Sequence, residues 1–355
     1  MATQESPRDP VADLRRIAFL LERALEPTHR VRAFRNAAAV LDQLGPDEVA
    51  RRAAAGKLTE LPGVGEVTAR CVTESLAGEE PVYLRRLVAT GGTPVAEGGA
   101  ALRAALRGDL HVHSDWSDGG SPIEEMMAAA RELGHEYVAL TDHSPRLTVA
   151  RGLSAERLAE QLDVVAGLNA GFGAEFRILT GIEVDILDDG SLDQTDEMLA
   201  RLDVVVASVH SGLRQPTDLM TPRMVKAIAN PHVDVLGHPT GRRVRGGPDQ
   251  KRSALRPESD FDAELVFEAC RRFGVAIEIN SRPERLDPPK RLLRLAVEAG
   301  CLISIDTDAH APGQLDWQPY GCERATACAV PPETVVNTWP VADLLAWTAD
   351  HTHRP

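Results

Sequence analysis

The spacing of apolar side chains differs between the front and back parts of this chain. Up to about residue 90 they return every three or four positions, as they do on the buried face of amphipathic helices. From residue 108 onward, short runs rich in β-branched residues alternate with longer amphipathic stretches. That alternation is typical of βα units around a parallel sheet. The chain is therefore predicted to have an all-helical front part and an α/β back part.

The front part is predicted to be helical over residues 11–90, with clear helices at 11–24, 31–44 and 66–76. Pro27 and the Gly45-Pro46 pair are predicted to separate these helices, because neither proline nor glycine continues a helix easily. Residues 90–99 are rich in Gly, Thr and Pro, and a short helix is predicted at 100–107. These signals predict a helical domain at 1–89, a linker at 90–107 and a second domain at 108–355.

The second domain contains seven short runs that we interpret as strands, at residues 109–113, 137–143, 177–184, 204–210, 233–238, 275–280 and 302–306. The predicted helices between them include residues 123–133, 155–168, 195–202, 222–229, 260–273 and 289–299. No G-x-G-x-x-G string follows a strand, so the sequence gives no support to a dinucleotide-binding fold. A parallel sheet with covering helices is the predicted architecture.

Composition narrows the class of protein. The net charge of −14 argues against a general polyanion binder. The charge is uneven, because residues 1–107 carry 15 Lys and Arg against 14 Asp and Glu, whereas residues 108–355 carry 24 against 39. The five cysteines form no C-x-x-C pair, which argues against a disulfide framework or a cysteine zinc site. A polar N-terminus and the lack of a long apolar run predict a cytoplasmic protein without a membrane segment.

Histidines and acids follow the predicted strands. The strings at the strand ends are His111-Val112-His113 with Asp118 beyond, Thr141-Asp142-His143, Gly181-Ile182-Glu183-Val184-Asp185, Ser208-Val209-His210, Gly237-His238-Pro239, Glu278-Ile279-Asn280-Ser281 and Asp306-Thr307-Asp308-Ala309-His310. The C-terminal ends of strands in a βα barrel converge on one face, where active sites form. These side chains are therefore predicted to meet.

Neutral imidazole together with carboxylate is the usual ligand set of zinc, manganese or iron. Strand alternation puts His111 and His113 on the same side, and Asp308 and His310 have the same spacing. The candidate ligands are His111, His113, Asp118, His143, Glu183, His210, His238, Asp308 and His310. These nine residues are too many for one tetrahedral ion. They suit two or three divalent ions, with Glu183 as the candidate bridging ligand. Two metals about 4 Å apart can activate a water and clamp a phosphoryl group.

The role of three acidic residues has more than one interpretation. Asp142 and Asp185 could orient a ligand from outside the metal shell or cap a loop. Asp118, in Ser117-Asp118-Gly119-Gly120, could be a ligand or a turn residue.

Basic residues follow the fifth and sixth predicted strands, namely Arg242, Arg243, Arg245, Lys251, Arg252, Arg282 and Arg285. Guanidinium groups bind phosphate in a bidentate manner. Arg242 and Arg282 are the predicted substrate contacts, and a solvated loop is the alternative for each arginine.

The string Leu61-Pro62-Gly63-Val64-Gly65 in the front part resembles a helix-hairpin-helix turn. Its glycines allow close approach of a phosphate to the backbone, and the following helix presents N–H groups. Gly63, Val64 and Gly65 are therefore predicted to contact a nucleic-acid backbone, for which no strongly basic domain is needed. A plain turn between two helices is the alternative.

The strand-end strings resemble the PHP (polymerase and histidinol phosphatase) phosphoesterases, and more closely the PHP domain at the C-terminus of bacterial family X DNA polymerases. The similar strings are DLHVHSDWSDG, TDHS, GIEVDIL, SVHSG, GHPTGR, EINSRPERLD, IDTDAHAPGQLDWQPYG and VVNTWPVADLLAW. The front strings HRVRAFRNAAAVLDQL and GKLTELPGVGEVTA resemble the helix-hairpin-helix domain of the same polymerases. The nucleotidyltransferase palm that these polymerases have between the two regions has no counterpart, so polymerase activity is not expected.

The resemblance implies a distorted (β/α)7 barrel with three metal ions. It assigns His111, His113, Glu183 and Asp308 to one ion, Glu183, His210 and His238 to a second, and Asp118, His143 and His310 to a third. It also implies a catalytic role for the residues His111, His113, Glu183, Asp308 and His310. The associated activities are Mn-dependent 3′-5′ exonuclease and phosphoesterase activity.

The leading hypothesis is a metal-dependent phosphoesterase directed at DNA ends, in which a metal-bound hydroxide attacks phosphorus. One alternative is a small-molecule phosphomonoesterase such as a histidinol phosphatase. Another is a non-catalytic DNA-binding scaffold that keeps its metals for stability. The sequence leaves the metal identity and the oligomeric state open.

Overall fold

A computed structural model describes residues 8–91, 96–244 and 255–350 of the chain. Residues 8–91 form one compact unit, and the remaining described residues form a second one. The predicted order, a helical region followed by an α/β barrel, is confirmed. The exact domain limits stay a prediction. Residues 96–107 group with the barrel, where Leu102 and Leu106 join the hydrophobic core.

The first unit consists of the helices α1 Pro10–Arg23, α2 Thr28–Leu44, α3 Pro46–Ala54, α4 Glu66–Leu76 and α5 Val82–Gly91. Its core is apolar, with Leu14, Ile17 and Leu21 of α1 and Leu41 of α2 almost fully buried. Three helices match the predicted ones to within three residues. The helices α3 and α5 were not resolved by periodicity within the region predicted as helical, because each is short and α3 carries few apolar positions.

The predicted hairpin turn lies between a short 3-10 helix, Leu58–Glu60, and α4. Gly63 has a φ of +82°, a backbone conformation that strongly favours glycine. Val64 is buried, so its side chain contributes to the packing of the unit. The Gly65 N–H donates to Thr68 Oγ1 at 3.0 Å, which fixes the start of α4.

The second unit is built on seven parallel strands in sequential order, β1 Gly108–Val112, β2 Tyr137–Leu140, β3 Arg177–Asp185, β4 Val204–Ser208, β5 Val235–Leu236, β6 Ala276–Asn280 and β7 Ile303–Asp306. A parallel bridge between Val112 and Ala309 brings the two ends of the sheet together. The Asp306 side chain accepts from the Leu110 N–H at 2.8 Å, and Thr307 Oγ1 donates to Asp109. These bonds nearly close the sheet into a barrel.

Helices cover the outside of the barrel: α6 Ala100–Ala105, α7 Ile123–Glu132, α8 Ala155–Phe172, α9 Asp196–Leu199, α10 Thr217–Ile228, α11 Ala263–Phe273, α12 Lys290–Glu298, α13 Gln318–Ala327 and α14 Val341–Ala349. The strands are buried on both faces, as expected for a parallel sheet under helices. The helix predicted from residue 222 begins earlier, at Thr217, and contains Pro222 in its interior. Proline is unfavourable inside a helix, which is why the sequence pattern predicts that the helix begins at Pro222.

Two further expectations concern cysteines and membrane segments. All five cysteines are free and buried. Within the described residues, no helix has the length and apolarity needed to cross a lipid bilayer.

His135 lies in the turn between α7 and β2 and is 5% exposed. Neither ring nitrogen has a hydrogen-bond partner among the described residues. Burial, assisted by the charge of Arg103, lowers the pKa of His135 to about 3. The unfolded chain titrates near pH 6.5 and so binds more protons at acidic pH. The folded state therefore loses stability as pH falls below about 6.5.

We expect this histidine to contribute about 1.4 kcal/mol to the loss of unfolding free energy between about pH 7.5 and 5.5. Urea unfolding of the wild type and His135→Gln at both pH values measures the difference. The metal-ligand histidines are common to both proteins, so they cancel in this comparison. Parallel pH profiles for the two proteins would contradict the prediction.

Candidate metal centre

The candidate ligands converge at the C-terminal ends of the barrel strands. The structure brings together all nine residues that the sequence singled out: His111, His113, Asp118, His143, Glu183, His210, His238, Asp308 and His310. In each of three groups, the ligand atoms lie within 4.8 Å of one another. These groups are His111 with His113 and Glu183, His143 with Glu183 and His210, and Asp118 with His113, His143 and His310.

Glu183 lies at the middle of the cluster. Its Oε1 is 2.9 Å from His238 Nε2 and 3.2 Å from His210 Nε2. Its Oε2 is 2.9 Å from His143 Nδ1 and 3.3 Å from His111 Nε2. One carboxylate thus faces imidazoles from four different strand ends, which is the geometry of a bridging ligand.

Asp118 and His310 form the outer part of the cluster. His310 Nε2 is 3.2 Å from Asp118 Oδ1, and His143 Nε2 is 3.5 Å from the same oxygen. The loop bearing Asp118 folds back because Gly119 follows, and its N–H donates to Ser114 O at 2.9 Å. A Cβ at Gly119 would lie 2.5 Å from the Ser114 carbonyl, so a side chain there would push this loop away.

The donor atoms fit divalent metal ions. Several buried ligand atoms, although some are close to one another, form no well-aligned hydrogen bond in the part of the chain that the structure describes, namely Nε2 of His111, both ring nitrogens of His113, Nδ1 of His143, Oε2 of Glu183 and Nε2 of His210. Buried polar atoms normally have a partner, since leaving them unpaired is costly. Metal ions supply that partner for imidazole nitrogen and carboxylate oxygen at once.

The pKa shifts of three ligands favour metal binding, whereas neighbouring carboxylates raise the pKa of His111, His210 and His310 against the effect of burial, so a metal ion must displace protons from those imidazoles. Burial would raise the pKa of Glu183, but the neighbouring histidines hold it well below its usual range. Arg282 does the same for Asp308 against the effect of burial. The pKa of His113 is well below normal because of burial and the charges of His310 and His143. Metal ligands must be deprotonated, and these three groups already are at neutral pH.

Two other acids have defined contacts beside the cluster. Asp185 contacts His210 Nδ1, which is the arrangement of a residue that orients a ligand. Asp142 accepts from the N–H and Oγ of Ser114 and from Gln161 Nε2. It therefore ties down the loop after β1 and does not face the cluster.

Glu278 on β6 was not chosen as a site residue from the sequence. Its Oε1 lies 2.6 Å from His111 Nδ1, and its Oε2 accepts from the backbone N–H of His238. It is fully buried, and burial raises its pKa to about 7 despite the opposing charge of His111. The only sequence signal was its position at a strand end, in Glu278-Ile279-Asn280.

Glu278→Gln is expected to weaken metal binding about 10–100-fold, because the carboxylate orients the His111 ring from outside the ligand set. Calorimetric titration of metal-free protein with Mn²⁺ measures the dissociation constants. Glu264→Gln, at an exposed site on α11, is the control. Identical metal affinity in Glu278→Gln and wild type would refute the orienting role.

The predicted phosphate-binding arginines differ in their contacts. Arg282 Nη1 donates to Asp308 O at 2.7 Å and lies 2.9 Å from His310 Nδ1, so this guanidinium borders the ligands. Arg242 donates to the carbonyl oxygens of Arg285 and Leu286. The basic residues Arg245, Lys251 and Arg252 lie outside the described residues.

A parallel barrel with a His and carboxylate cluster at its strand ends, bordered by arginine, is an arrangement that can hold divalent ions and act on phosphate esters. Comparison with known proteins identifies the family. The PHP domain model matches residues 109–282, and the helix-hairpin-helix domain model matches residues 8–80. The chain belongs to the PHP family and contains a helix-hairpin-helix domain ahead of the barrel.

Two relatives illustrate the similarity. The chain is 40% identical over 242 residues to the DNA polymerase/3′-5′ exonuclease PolX of Bacillus subtilis (strain 168), covering 68% of this chain and 41% of that protein. It is 31% identical over 217 residues to a protein named "Probable phosphatase" of Thermoanaerobacter sp. (strain X514), covering 57% of this chain and 78% of that protein. The chain thus spans less than half the length of the polymerase.

A solved structure of histidinol phosphate phosphatase from Lactococcus lactis, complexed with zinc, L-histidinol and phosphate, covers 62% of this chain and 92% of its own. The identity is 18% and the TM-score 0.45. This likeness is too weak to support a conclusion about the present chain.

Proposed function

We propose that this protein is a metal-dependent phosphodiesterase that removes nucleotides from 3′ ends of DNA. The observation that carries the proposal is the combination of an intact PHP ligand cluster with a helix-hairpin-helix domain in one chain. A relative with both regions is named as a polymerase and 3′-5′ exonuclease. Few residues separate α5 from the barrel unit, so a polymerase palm has no room there, and polymerase activity is not part of the proposal.

The nine clustered side chains would hold two or three ions, with zinc, manganese and iron as candidates. Bound divalent ions would activate the attacking water and neutralise charge on the phosphoryl group. Glu183 keeps the surrounding imidazoles at fixed spacing through its two oxygens. Arg282, 18% exposed at the edge of the cluster, is proposed to hold a phosphate oxygen. Arg242 is retained as a second proposed contact.

The helical unit is proposed to bind the DNA backbone at the hairpin turn. Gly63 and the N-terminus of α4 would approach a phosphate, because the first N–H groups of a helix lack partners within it. The Gly65 N–H is engaged with Thr68 Oγ1, so Gly63, Val64 and the start of α4 would supply the contact. Binding of this kind would bring a DNA end to the enzyme without a basic surface.

A substrate panel tests the proposal. Purified protein with Mn²⁺ is assayed on single-stranded DNA, on DNA with a recessed 3′ end and on histidinol phosphate. We expect shortening of both DNAs from the 3′ end, with slower hydrolysis of histidinol phosphate. Efficient turnover of histidinol phosphate without DNA cleavage would overturn the exonuclease proposal.

The hairpin turn can be tested with two matched glycines. Gly63 and Gly56 both have positive φ, and neither has an atom within 3.4 Å of an added Cβ. Asp at either position places a carboxylate on a backbone with positive φ, but only Gly63 lies in the turn. Gly63→Asp is expected to raise the KM for DNA about tenfold through repulsion of phosphate, and Gly56→Asp to leave it nearly unchanged. An equal effect of both would argue against DNA contact at the turn.

A small-molecule phosphomonoesterase is the second candidate. A groove of about 540 Å³ opens beside His210 and is lined by Arg146, Asp185, Asp188 and Asp189. Its excess of carboxylates suits a small ester with a cationic group better than a polyanion. The similarity to a protein named as a phosphatase supports the same candidate. The histidinol phosphate arm of the panel distinguishes it from the nuclease. A metal-stabilised scaffold would be inactive in every arm.

A further inference from the structure

Two arginines hold the loop between β1 and α7 by its backbone. Arg151 donates to Asp115 O at 2.7 Å and to Ser117 O at 2.6 and 3.0 Å. Arg157 Nη2 donates to the carbonyl between them, Trp116 O, at 2.5 Å. The carbonyl oxygens of three successive residues are therefore fixed, immediately ahead of the acidic ligand that this loop carries.

Both arginines belong to the segment that follows β2. Arg151 lies in the loop after that strand, and Arg157 lies in the first turn of α8. The Leu153 N–H donates to His143 O at 2.7 Å, which attaches this segment to the strand end. Arg157 Nη1 also donates to Arg151 O at 2.7 Å, so the two arginines are joined to each other. They thus connect the loop that carries Asp118 with the segment that begins at His143.

Asp118 depends on its loop more than any other candidate ligand does. Its side chain is 36% exposed, whereas the next most exposed ligand side chain, that of His310, is 21% exposed. Together with His113, His143 and His310 it forms a group of ligand atoms within 4.8 Å of one another, which we call the outer site. The barrel core fixes the buried ligands, but the position of an exposed side chain depends on the backbone that carries it.

The carboxylate of Asp142, which also follows β2, engages the hydrogen-bond donors of the same loop. It accepts from the Ser114 N–H at 2.9 Å, from Ser114 Oγ at 2.6 Å and from Ser117 Oγ. Gln161 Nε2 of α8 donates to this carboxylate at 2.7 Å. The segment after β2 therefore binds the donors of the loop through Asp142 and its carbonyl oxygens through the two arginines.

We propose that Arg151 and Arg157 are positioning residues for a metal ion in the outer site, and that they act by fixing Asp118. The proposal rests on the proposed metal-dependent function and names residues on which its ligand geometry depends. Removal of a group that supports a ligand typically weakens metal binding about 10–100-fold. The effect is confined to the outer site, because Glu183 and the ligands around it are held by the strands of the barrel.

Manganese counts measure the effect. Metal-free protein is dialysed to equilibrium against a series of Mn²⁺ concentrations, and elemental analysis gives the bound manganese for each chain. The double variant Arg151→Gln/Arg157→Gln is expected to need about 10–100-fold more Mn²⁺ than the wild type to fill one site, with the remaining binding unchanged. Asp118→Asn shows which site this is, because it removes the charge of a ligand that belongs to the outer site.

The combination of all three substitutions tests whether the arginines act through Asp118. In the Asp118→Asn background, the two arginine substitutions should leave the remaining manganese binding unchanged to within about twofold. Arg294→Gln, at an exposed position of α12, is the control and should bind Mn²⁺ like the wild type. Equal weakening of every site in the double variant would show general damage and overturn the proposal, as would binding identical to the wild type.

Cleavage assays on the same samples separate this proposal from the proposed function. If the wild type binds manganese without hydrolysing DNA or histidinol phosphate, the proposed function fails, and the manganese counts still decide the positioning role. If the wild type hydrolyses its substrate and the double variant fills all its sites as the wild type does, the positioning role fails and the function stands. A wild type that binds no manganese overturns both.

Discussion

Glu183→Gln is expected to lower the phosphoesterase kcat at least about a hundredfold, beyond the 10–100-fold typical of residues that only support a ligand. The glutamate oxygens face four imidazoles, at 2.9 Å from His238 and His143 and slightly farther from His210 and His111. Glutamine preserves the size of the side chain but removes the negative charge. A neutral amide cannot compensate two cations, so the bound metal should fall by at least one ion for each chain.

Steady-state kinetics and elemental analysis of the same samples measure both effects. Glu197→Gln, at an exposed position of α9, is the control and should match the wild type. Thermal unfolding of metal-free Glu183→Gln shows whether the substitution harms the barrel itself. A variant that keeps its full metal content and its rate would contradict a bridging role for Glu183.

Removal of metal by a chelator is expected to abolish activity and lower the melting temperature by roughly 10–20 °C. The metal-free cluster leaves several buried nitrogens and Glu183 Oε2 without a partner. Each ion bound at a concentration a hundred times its dissociation constant adds about 2.7 kcal/mol to the unfolding free energy. Two such sites, at about 2–4 °C for each kcal/mol, account for this range.

Calorimetry and activity assays before and after dialysis against EDTA check this result, with Mn²⁺ or Zn²⁺ added back separately. EDTA already saturated with the same metal is the control, because it has the chelator but cannot withdraw ions. Recovery with one metal and not the other identifies the productive ion. Unchanged activity and unchanged melting temperature after complete removal would exclude a role for metals in both catalysis and folding.

The sequence predicted the strands well because each is a short buried run bounded by polar residues. All seven strands were found at these runs, although β2, β4 and β5 are shorter than predicted, since their ends continue into loops that carry His143, His210 and His238. The helices of the first unit were less well resolved. Short helices such as α3 are stabilised by packing within the unit, and their own few apolar positions give little signal.

The candidate ligands could also be predicted from the sequence, because residues that follow parallel strands emerge at the same end of the barrel. The role of Glu278 was not visible in the sequence, since its partner His111 is 167 residues away. Asp142 and Asp185 could not be distinguished by spacing. Only their contacts showed that one braces a loop and the other meets His210. Spacing did not distinguish Arg285 from the other arginines, and only the structure places its Nε 3.3 Å from Asp308 Oδ2.

The sequence by itself determined the order of helices and strands, the chemistry of the ligands and the face on which they emerge, because these depend on local periodicity and on strand direction. Tertiary structure decided which ligands share a carboxylate and which acid orients which histidine. Those relations depend on closure of the barrel, which joins Asp109 to Thr307 across 198 residues. Distances of that kind are set by the packing of the whole sheet and leave no trace in residue spacing.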